Sequence, residues 1–417
     1  MIVGPGMHPG FFFRGTGKKE NMDFSAFNLH PRVAAGVTAQ GYVNPTPIQA
    51  QAIPKVMNGR DVMGLAQTGT GKTAAFVLPM LHRLVQGKQG RVRGLIVAPT
   101  RELAEQTHET VRSLGRKTRI RSVTVYGGVG VRGQEVKLRQ GADIVVACPG
   151  RLLDLIGRGA VDLSRLEVLV LDEADHMFDM GFLPDIRRIL GHLPRKRQTL
   201  LFSATMSGEI RRLAEEVLHD PVTVRVGVSA PAATVSHALY PVEPHLKTAL
   251  LLDLLRKTDT ESVLVFTRTK HRARRLGEQL AKSGYAAASL QGNLSQSRRQ
   301  AALDGFRKGT YRILVATDIA ARGIDVTRVS HVINYDIPNT TDAYIHRIGR
   351  TGRVARTGDA FTLVSHEDRE MVRAIERILH GRIDRRTLDD FDYGVRPARK
   401  GKSPAQPPRR TACRVSA

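Results

Sequence analysis

The sequence predicts an α/β protein of two tandem domains, each a mainly parallel sheet flanked by helices. Three observations carry this. Short runs of Val, Ile and Leu recur along the chain, as strands buried on both faces require. Helical stretches alternate with them, which is the pattern of βαβ units. The series stops at Gly227-Val228-Ser229-Ala230-Pro231-Ala232-Ala233, reads there as a linker, and then begins again. A chain of 417 residues has room for two or three domains, and 41% hydrophobic residues are enough for real cores. The expected division is 1–21 as an extension, 22–226, the linker 227–233, 234–380, and a basic tail 381–417.

Lys and Arg number 64 against 39 Asp and Glu, a formal charge of +25. That excess points to a polyanionic partner, nucleic acid first and an acidic membrane surface as competitor. No apolar run approaches the length that spans a bilayer. Cys148 and Cys413 are the only cysteines, too few for a disulfide framework or a zinc cluster. A reducing, cytoplasmic setting fits them.

Residues 1–21 are rich in Gly, Pro, Lys and Arg without periodicity, so they are expected to be disordered, with Met22 as the natural start. In Gly41-Tyr42-Val43-Asn44-Pro45-Thr46-Pro47-Ile48-Gln49 two prolines fix a turn and Gln49 opens a helix. Its amide has the donor and acceptor that can read adenine at N6 and N7, although such a Gln also serves simply as a helix-start residue.

Val62 to Ala66 reads as a strand, Ala66-Gln67-Thr68-Gly69-Thr70-Gly71-Lys72-Thr73 as a loop, and a helix runs on through Leu84. Strand, glycine-rich loop, Lys-Thr and helix is the phosphate-loop arrangement, here with Ala66 at the usual first glycine. Gly69 and Gly71 let backbone N–H groups around Thr70 face phosphates, and the helix start adds partial positive charge. Lys72 suits the terminal phosphates and Thr73 offers a hydroxyl to Mg²⁺.

Strands at Gly94–Ala98, Val123–Tyr126 and Asp143–Ala147 end in Pro99-Thr100-Arg101, Gly127-Gly128 and Cys148-Pro149-Gly150-Arg151. Helix-start N–H groups plus Arg can grip successive phosphates of a nucleic-acid strand. Ordinary turn chemistry is the alternative for any one of these turns. Val168–Leu171 is a buried strand with three carboxylates after it, Asp172, Glu173 and Asp175. At the carboxyl end of such a strand they suit a hydrated Mg²⁺ held by one or two carboxylates and phosphate oxygens. Leu200–Phe202 leads into Ser203-Ala204-Thr205, whose hydroxyls can bond the acidic cluster. From Thr223 the pattern weakens into the linker.

The second series has strands at Val263–Phe266, Ala286–Leu290, Ile313–Ala316, His331–Tyr335 and Ala360–Val364, with a helix over Lys270–Ser283. It has no phosphate loop. It offers Arg268, Gly292, Thr317-Asp318 with Arg322-Gly323-Ile324-Asp325, and His346-Arg347-Ile348-Gly349-Arg350-Thr351-Gly352-Arg353. Arg350 and Arg353, on a glycine-containing loop, can fork onto phosphate oxygens. A helix over 368–380 closes the domain. From Arg396 on there are Lys and Arg but no acidic residue, so the tail is expected to be disordered and to meet phosphate.

From Phe24 to His380 the chain resembles the DEAD-box ATP-dependent RNA helicases of superfamily two. The resemblance rests on Phe24, Gly41–Gln49, Ala66–Thr73, Pro99–Ala104, Gly127-Gly128, Asp172-Glu173-Ala174-Asp175, Ser203–Thr205, Thr317–Asp325 and His346–Arg353. The termini are similar to the bacterial RhlE-type subgroup. The resemblance implies two RecA-like domains with ATP between them and RNA crossing both. It implies that Phe24 stacks on adenine and that Gln49, Gly69, Thr70, Gly71, Lys72, Thr73, Gly323 and Asp325 bind the nucleotide. It gives Mg²⁺ to Thr73 and Asp172, the attacking water to Glu173, and transition-state charge to Arg350 and Arg353. RNA contacts fall to Pro99, Thr100, Arg101, Gly128, Pro149, Gly150, Arg151, Arg268, Gly292, Thr317 and Arg322. Coupling between the domains falls to Asp175, Ser203, Thr205 and His346. The family has Thr where this chain has Cys148. The expected function is RNA-stimulated ATP hydrolysis that unwinds or remodels short RNA duplexes. An ATP-dependent RNA clamp or annealing factor and a DNA helicase of the same fold stand as alternatives. The chain is expected to be a monomer, with ribosome-assembly and RNA-decay partners both open.

Overall fold

The structure is a computed structural model that describes residues 23–67, 69–226, 235–321, 329–351 and 358–395. The described residues form two compact units, one of residues up to 226 and one made mainly of residues from 235 on. The expected extension 1–21, the linker 227–233 and the tail from Arg396 on lie outside the described residues.

The first unit is a seven-stranded sheet of β1 (Val62–Leu65), β2 (Gly94–Val97), β3 (Ser122–Val125), β4 (Ile144–Ala147), β5 (Val168–Leu171), β6 (Gln198–Ser203) and β7 (Val222–Arg225). Their order is β3-β4-β2-β5-β6-β1-β7 and neighbours pair in parallel. The interior strands are covered by helices on both faces, so their side chains alternate between two cores. In β5, Val168 and Val170 join one core while Leu169 and Leu171 join the other. Full burial of such a side chain stabilises the fold by about 1.5–3 kcal/mol. Gly64 in β1 is a packing requirement, because a Cβ there would stand 2.4 Å from the Phe202 ring.

The second unit repeats the plan with β8 (Val235–Pro241), β9 (Val263–Phe266), β10 (Ala287–Leu290), β11 (Ile313–Ala316), β12 (His331–Asn334), β13 (Gly358–Val364) and β14 (Asp384–Arg385). Their order is β10-β11-β9-β12-β13-β8-β14. Position by position the two sheets are wound alike, so β8 stands where β1 stands and β13 where β6 stands.

Three expectations are corrected. Val222–Arg225, read as a fading pattern, is the edge strand β7, paired with β1. Val235–Pro241, passed over before Val263, is the first strand of the second unit; Ser236 and His237 break its apolar run. Residues 381–395, expected as tail, are built into the second unit. Ile383 is buried, and Leu388, Phe391 and Tyr393 pack on the core as spaced apolar anchors. Arg386 N–H donates to the Leu239 carbonyl at 2.8 Å, Lys257 pairs with Asp390 at 2.8 Å, and His245 Nε2 meets the Val395 carbonyl at 2.6 Å. The closing helix is Arg369–Ile378, preceded by a 3₁₀ turn.

Candidate functional site

The carboxyl edge of the first sheet divides into two halves. Strands β5, β6 and β1 are consecutive, and from their ends come Asp172–Asp175, Ser203–Thr205 and the loop Ala66–Thr73. Strands β3, β4 and β2 are also consecutive, and from theirs come Gly127-Gly128, Cys148–Arg151 and Pro99–Arg101. The expected nucleotide residues and the expected nucleic-acid residues of this unit are thus segregated by strand order.

In the loop after β1, Gly69 and Gly71 have φ of 86° and 93°, a region that L side chains rarely adopt. Gly71 is also crowded, since a Cβ would lie 2.5 Å from Gln49 Nε2. Lys72 opens the 13-residue helix Lys72–Leu84, is buried, and donates Nζ to the Ala66 carbonyl at 2.8 Å. Its charge therefore lies in the loop's mouth against a neutral partner, which phosphate oxygens can outcompete. Thr70 Oγ1 donates to the Gln67 carbonyl at 2.7 Å, and half-buried Thr73 follows Lys72.

Gln49 ties this loop to the preceding helix. Its Oε1 accepts the Thr46 N–H at 2.9 Å and its Nε2 donates to the Gly71 carbonyl at 3.1 Å. It is 2% exposed. One hydrogen and one lone-pair direction of the amide are thus in use within the fold, and one of each remains. Phe24 is likewise no open platform. It is buried edge-on against Phe27 and Tyr42, with ring centroids 5.6 Å away in both cases, because the apolar ring joins the core.

The acidic cluster is buried. Burial pushes the Asp172 carboxyl up to about 7, with Glu173 and Asp175 adding to the rise and Lys72 opposing it. A carboxylate so placed holds its charge best beside a cation, which is the fit expected for Mg²⁺. Among the described residues no three His, Cys, Asp or Glu side chains gather as a metal cage. A metal here would take a protein carboxylate and fill its remaining positions with phosphate oxygens and water. Glu173 has φ 50° and ψ 56°, a left-handed conformation that costs a non-glycine residue about 1–3 kcal/mol. Asp172 Oδ1 secures it by accepting its N–H at 3.0 Å. Asp175 turns the other way: Oδ2 accepts from Ala204 N, Thr205 N and Thr205 Oγ1 at 3.1, 3.0 and 3.2 Å. Ser203 Oγ donates to the Thr205 carbonyl at 2.8 Å. The two strand ends are thereby locked together within one unit.

His176 is a residue the sequence reading missed. It is 4% exposed, and its Nδ1 lies 3.2 Å from Glu173 Oε2. The i, i+3 spacing at a helix start was the available signal. An imidazole N–H there holds the carboxylate in one orientation. His176→Leu is expected to lower kcat for ATP about tenfold or more with KM nearly unchanged, since orientation by a positioned partner is lost. His176→Asn, which keeps a donor, is expected to recover part of it. Equal losses in kcat and thermal stability for both variants would assign His176 to packing alone.

In the other half of the edge, Thr100 caps the helix Arg101–Leu114, its Oγ1 accepting the Leu103 N–H at 3.2 Å. Arg101 lies over the Tyr126 ring at 5.7 Å and against Gly128, whose φ of 73° disfavours any side chain. Pro99 is buried behind them and Gly150 is exposed. Arg151 donates to the Val129 carbonyl at 3.2 Å and pairs with Asp154 at 3.4 Å. Cys148 is the N-cap of the helix Pro149–Gly157 and makes no side-chain cap bond. Burial pushes its thiol up to about 12, so it is a protonated, unreactive group at neutral pH. Cys148→Thr is expected to supply the cap and raise stability by about 0.5–2 kcal/mol. A thermal or urea melt checks this; an unchanged midpoint would contradict it.

In the second unit, half-buried Thr317 and exposed Arg268 and Gly292 follow β11, β9 and β10, which are again consecutive. Arg268 N–H donates to Asp336 Oδ2 at 2.8 Å, and Arg272 pairs with the same carboxylate at 2.5 Å. The helix Thr341–Ile348 carries half-buried His346 and buried Arg347; Arg350 follows it and is 6% exposed. Arg347, quoted within its motif but given no role of its own, forks onto Asp318 at 2.5 and 2.7 Å. It also reaches Asn334 and the Asp336 carbonyl, and lies 5.0 Å from the Phe266 ring centroid. Its place beside Tyr344 and Ile348 on the inward helix face was the missed signal. Arg322, Gly323, Asp325 and Arg353 lie outside the described residues.

Residues 46–213 match the family described as DEAD/DEAH box helicase, and residues 246–355 match the helicase conserved C-terminal domain. The chain is 41% identical over 371 residues to the DEAD-box ATP-dependent RNA helicase CshA of Bacillus subtilis (strain 168), covering 88% of this chain and 75% of that protein. It is 44% identical over 355 residues to CshA of Listeria monocytogenes, covering 85% and 68%. These relatives give no support to an RhlE-type assignment. Among solved structures, S. cerevisiae Dbp5 bound to RNA and ADP BeF3 is similar, with TM-score 0.81, 32% identity, and coverage of 88% of this chain and 96% of that one.

Proposed function

This chain belongs to the DEAD-box ATP-dependent RNA helicases, and from that premise we propose how its own residues divide the work. ATP binds at the ends of β5, β6 and β1. Lys72 and the N–H groups around Gly69–Gly71 hold its phosphates, and Gln49 reads adenine with the hydrogen and lone pair it has left. Thr73, and Asp172 through water, would hold Mg²⁺, which neutralises phosphate charge when bound. Glu173, oriented by His176, takes a proton from the attacking water. The new P–O bond forms as the bond between the β- and γ-phosphates breaks, and ADP leaves. Arg350 and Arg353 of the second unit stabilise the charge on the transferred group.

RNA is gripped by its backbone. In the first unit Pro99, Thr100, Arg101, Gly128 and Pro149–Arg151 contact it; in the second, Arg268, Gly292, Thr317 and Arg322. The observation that carries this reading is the segregation of the two residue sets on the first sheet, with Asp175 bonded to Ala204 and Thr205. RNA bound by both units favours the arrangement that delivers the arginines, so RNA stimulates hydrolysis. Among the described residues no helix is long and apolar enough to cross a membrane. We propose action in the cytoplasm as a monomer. Strand-displacement assays on short RNA and DNA duplexes test the reading: ATP-dependent displacement of RNA strands is expected. Retention of RNA without displacement would favour a clamp, and equal displacement of DNA would contradict RNA selectivity.

A further inference from the structure

In the second sheet, the positions that hold the nucleotide residues of the first are occupied by β12, β13 and β8. No glycine-rich loop follows β8. Lys247 opens the helix Lys247–Lys257 as Lys72 opens its own, but it is turned inward. It is buried and donates Nζ to the Tyr335 and Leu363 carbonyls at 3.2 and 3.1 Å, at the ends of β12 and β13. The lysine that would meet a phosphate is therefore committed to the fold.

A cavity of about 620 Å³ nonetheless opens at the carboxyl ends of β8 and β13, beside the helix Arg369–Ile378. Its polar lining includes Arg369 and Arg373, one helical turn apart, and Arg385 from β14. Glu243 is the one carboxylate among the lining residues. Among the described residues, no ion pair or side-chain hydrogen bond engages any of the three arginines. That sets them apart from Arg272 and Arg347 of the same unit, each spent on a carboxylate. All three line the cavity from its solvent-exposed side, and guanidinium forks fit phosphate oxygens. The volume falls within the range of about 300–1,000 Å³ typical of small-ligand sites. The chain beyond residue 395 is not a suitable occupant, because it adds Lys and Arg and no acidic side chain.

We propose that this cavity is a second phosphate site, specific to the second unit, that takes a small polyphosphate: a nucleoside di- or triphosphate or an inorganic polyphosphate. It uses arginines where the first unit uses a loop and a lysine, and it is separate from the hydrolytic site. Equilibrium dialysis of the full chain carrying Lys72→Ala, against labelled ATP and separately against labelled inorganic triphosphate at low salt, tests it. Binding is expected to survive Lys72→Ala. Adding Arg369→Ala and Arg373→Ala is expected to weaken it at least about tenfold, as loss of charge-assisted bonds requires. Tighter binding of ATP than of triphosphate would identify a nucleotide site, and equal binding a polyphosphate site; both support the proposal. The arginine variants in the otherwise native chain should keep the native melting temperature and ATP turnover, and Arg369→Lys with Arg373→Lys should retain part of the affinity. Absence of binding in the Lys72→Ala chain, or binding unmoved by the arginine substitutions, overturns the proposal. So does weakened binding of a single-stranded RNA with polyphosphate binding unchanged, which would give these arginines to RNA.

Discussion

Glu173→Gln is expected to stop ATP turnover while leaving ATP and RNA binding in place. The phosphates are assigned to Lys72 and the loop after β1, and the metal to Asp172 and Thr73; none of these groups changes. The amide is isosteric with the carboxylate and still accepts a bond from His176, so the left-handed turn at 173 persists. What disappears is the proton acceptor, and a positioned general base contributes about 10²–10⁴ in rate. With binding intact and turnover blocked, the variant should accumulate on RNA when ATP is present. Steady-state hydrolysis and filter retention of labelled RNA measure the two halves of this expectation. Near-normal hydrolysis would remove Glu173 from the base role.

Arg350→Ala is expected to reduce hydrolysis by about 10³–10⁵, the usual worth of an arginine finger, with ATP affinity changed only a few-fold. Lysine should rescue it poorly, because an ammonium cannot fork onto two phosphate oxygens. Arg350 is buried in its own unit, so a structural role must be separated from a chemical one. Arg347, three residues earlier, provides the contrast. Its guanidinium is 2% exposed and engages Asp318, Asn334 and the Asp336 carbonyl. Arg347→Ala strands those partners and should destabilise the second unit by about 3 kcal/mol or more. Melting temperature and turnover, measured on both variants, distinguish them. A stable Arg350→Ala protein with unimpaired hydrolysis would refute its assignment.

The strands were legible where burial on both faces left an unbroken apolar run, as in Val263–Phe266 and Ile313–Ala316, whose bounds match the structure. β7 and β8 were not, because Thr223 and Arg225 lie on the exposed face of the edge strand β7, and Ser236 and His237 interrupt the apolar run of β8. Loop chemistry was legible through residue type: Gly69 and Gly71 do adopt the left-handed conformations that the phosphate loop needs. Partner choice was not, since it depends on three dimensions. Sequence alone does not say that Gln49 spends its amide on Thr46 and Gly71, that Asp175 bonds the 204–205 backbone, or that His176 faces Glu173. Nor do apolar residues spaced among Asp and Arg announce that 383–395 belongs to the second unit rather than to a tail.

The central claim is that hydrolysis needs both units, one holding ATP and the other supplying arginine under the control of RNA. The most direct measurement is ATP turnover, with and without single-stranded RNA, by the full chain and by residues 1–230 alone. The full chain should be strongly stimulated by RNA, while the first unit should bind nucleotide weakly and hydrolyse it hardly at all. RNA-stimulated hydrolysis by residues 1–230 at a rate near that of the full chain would contradict the account.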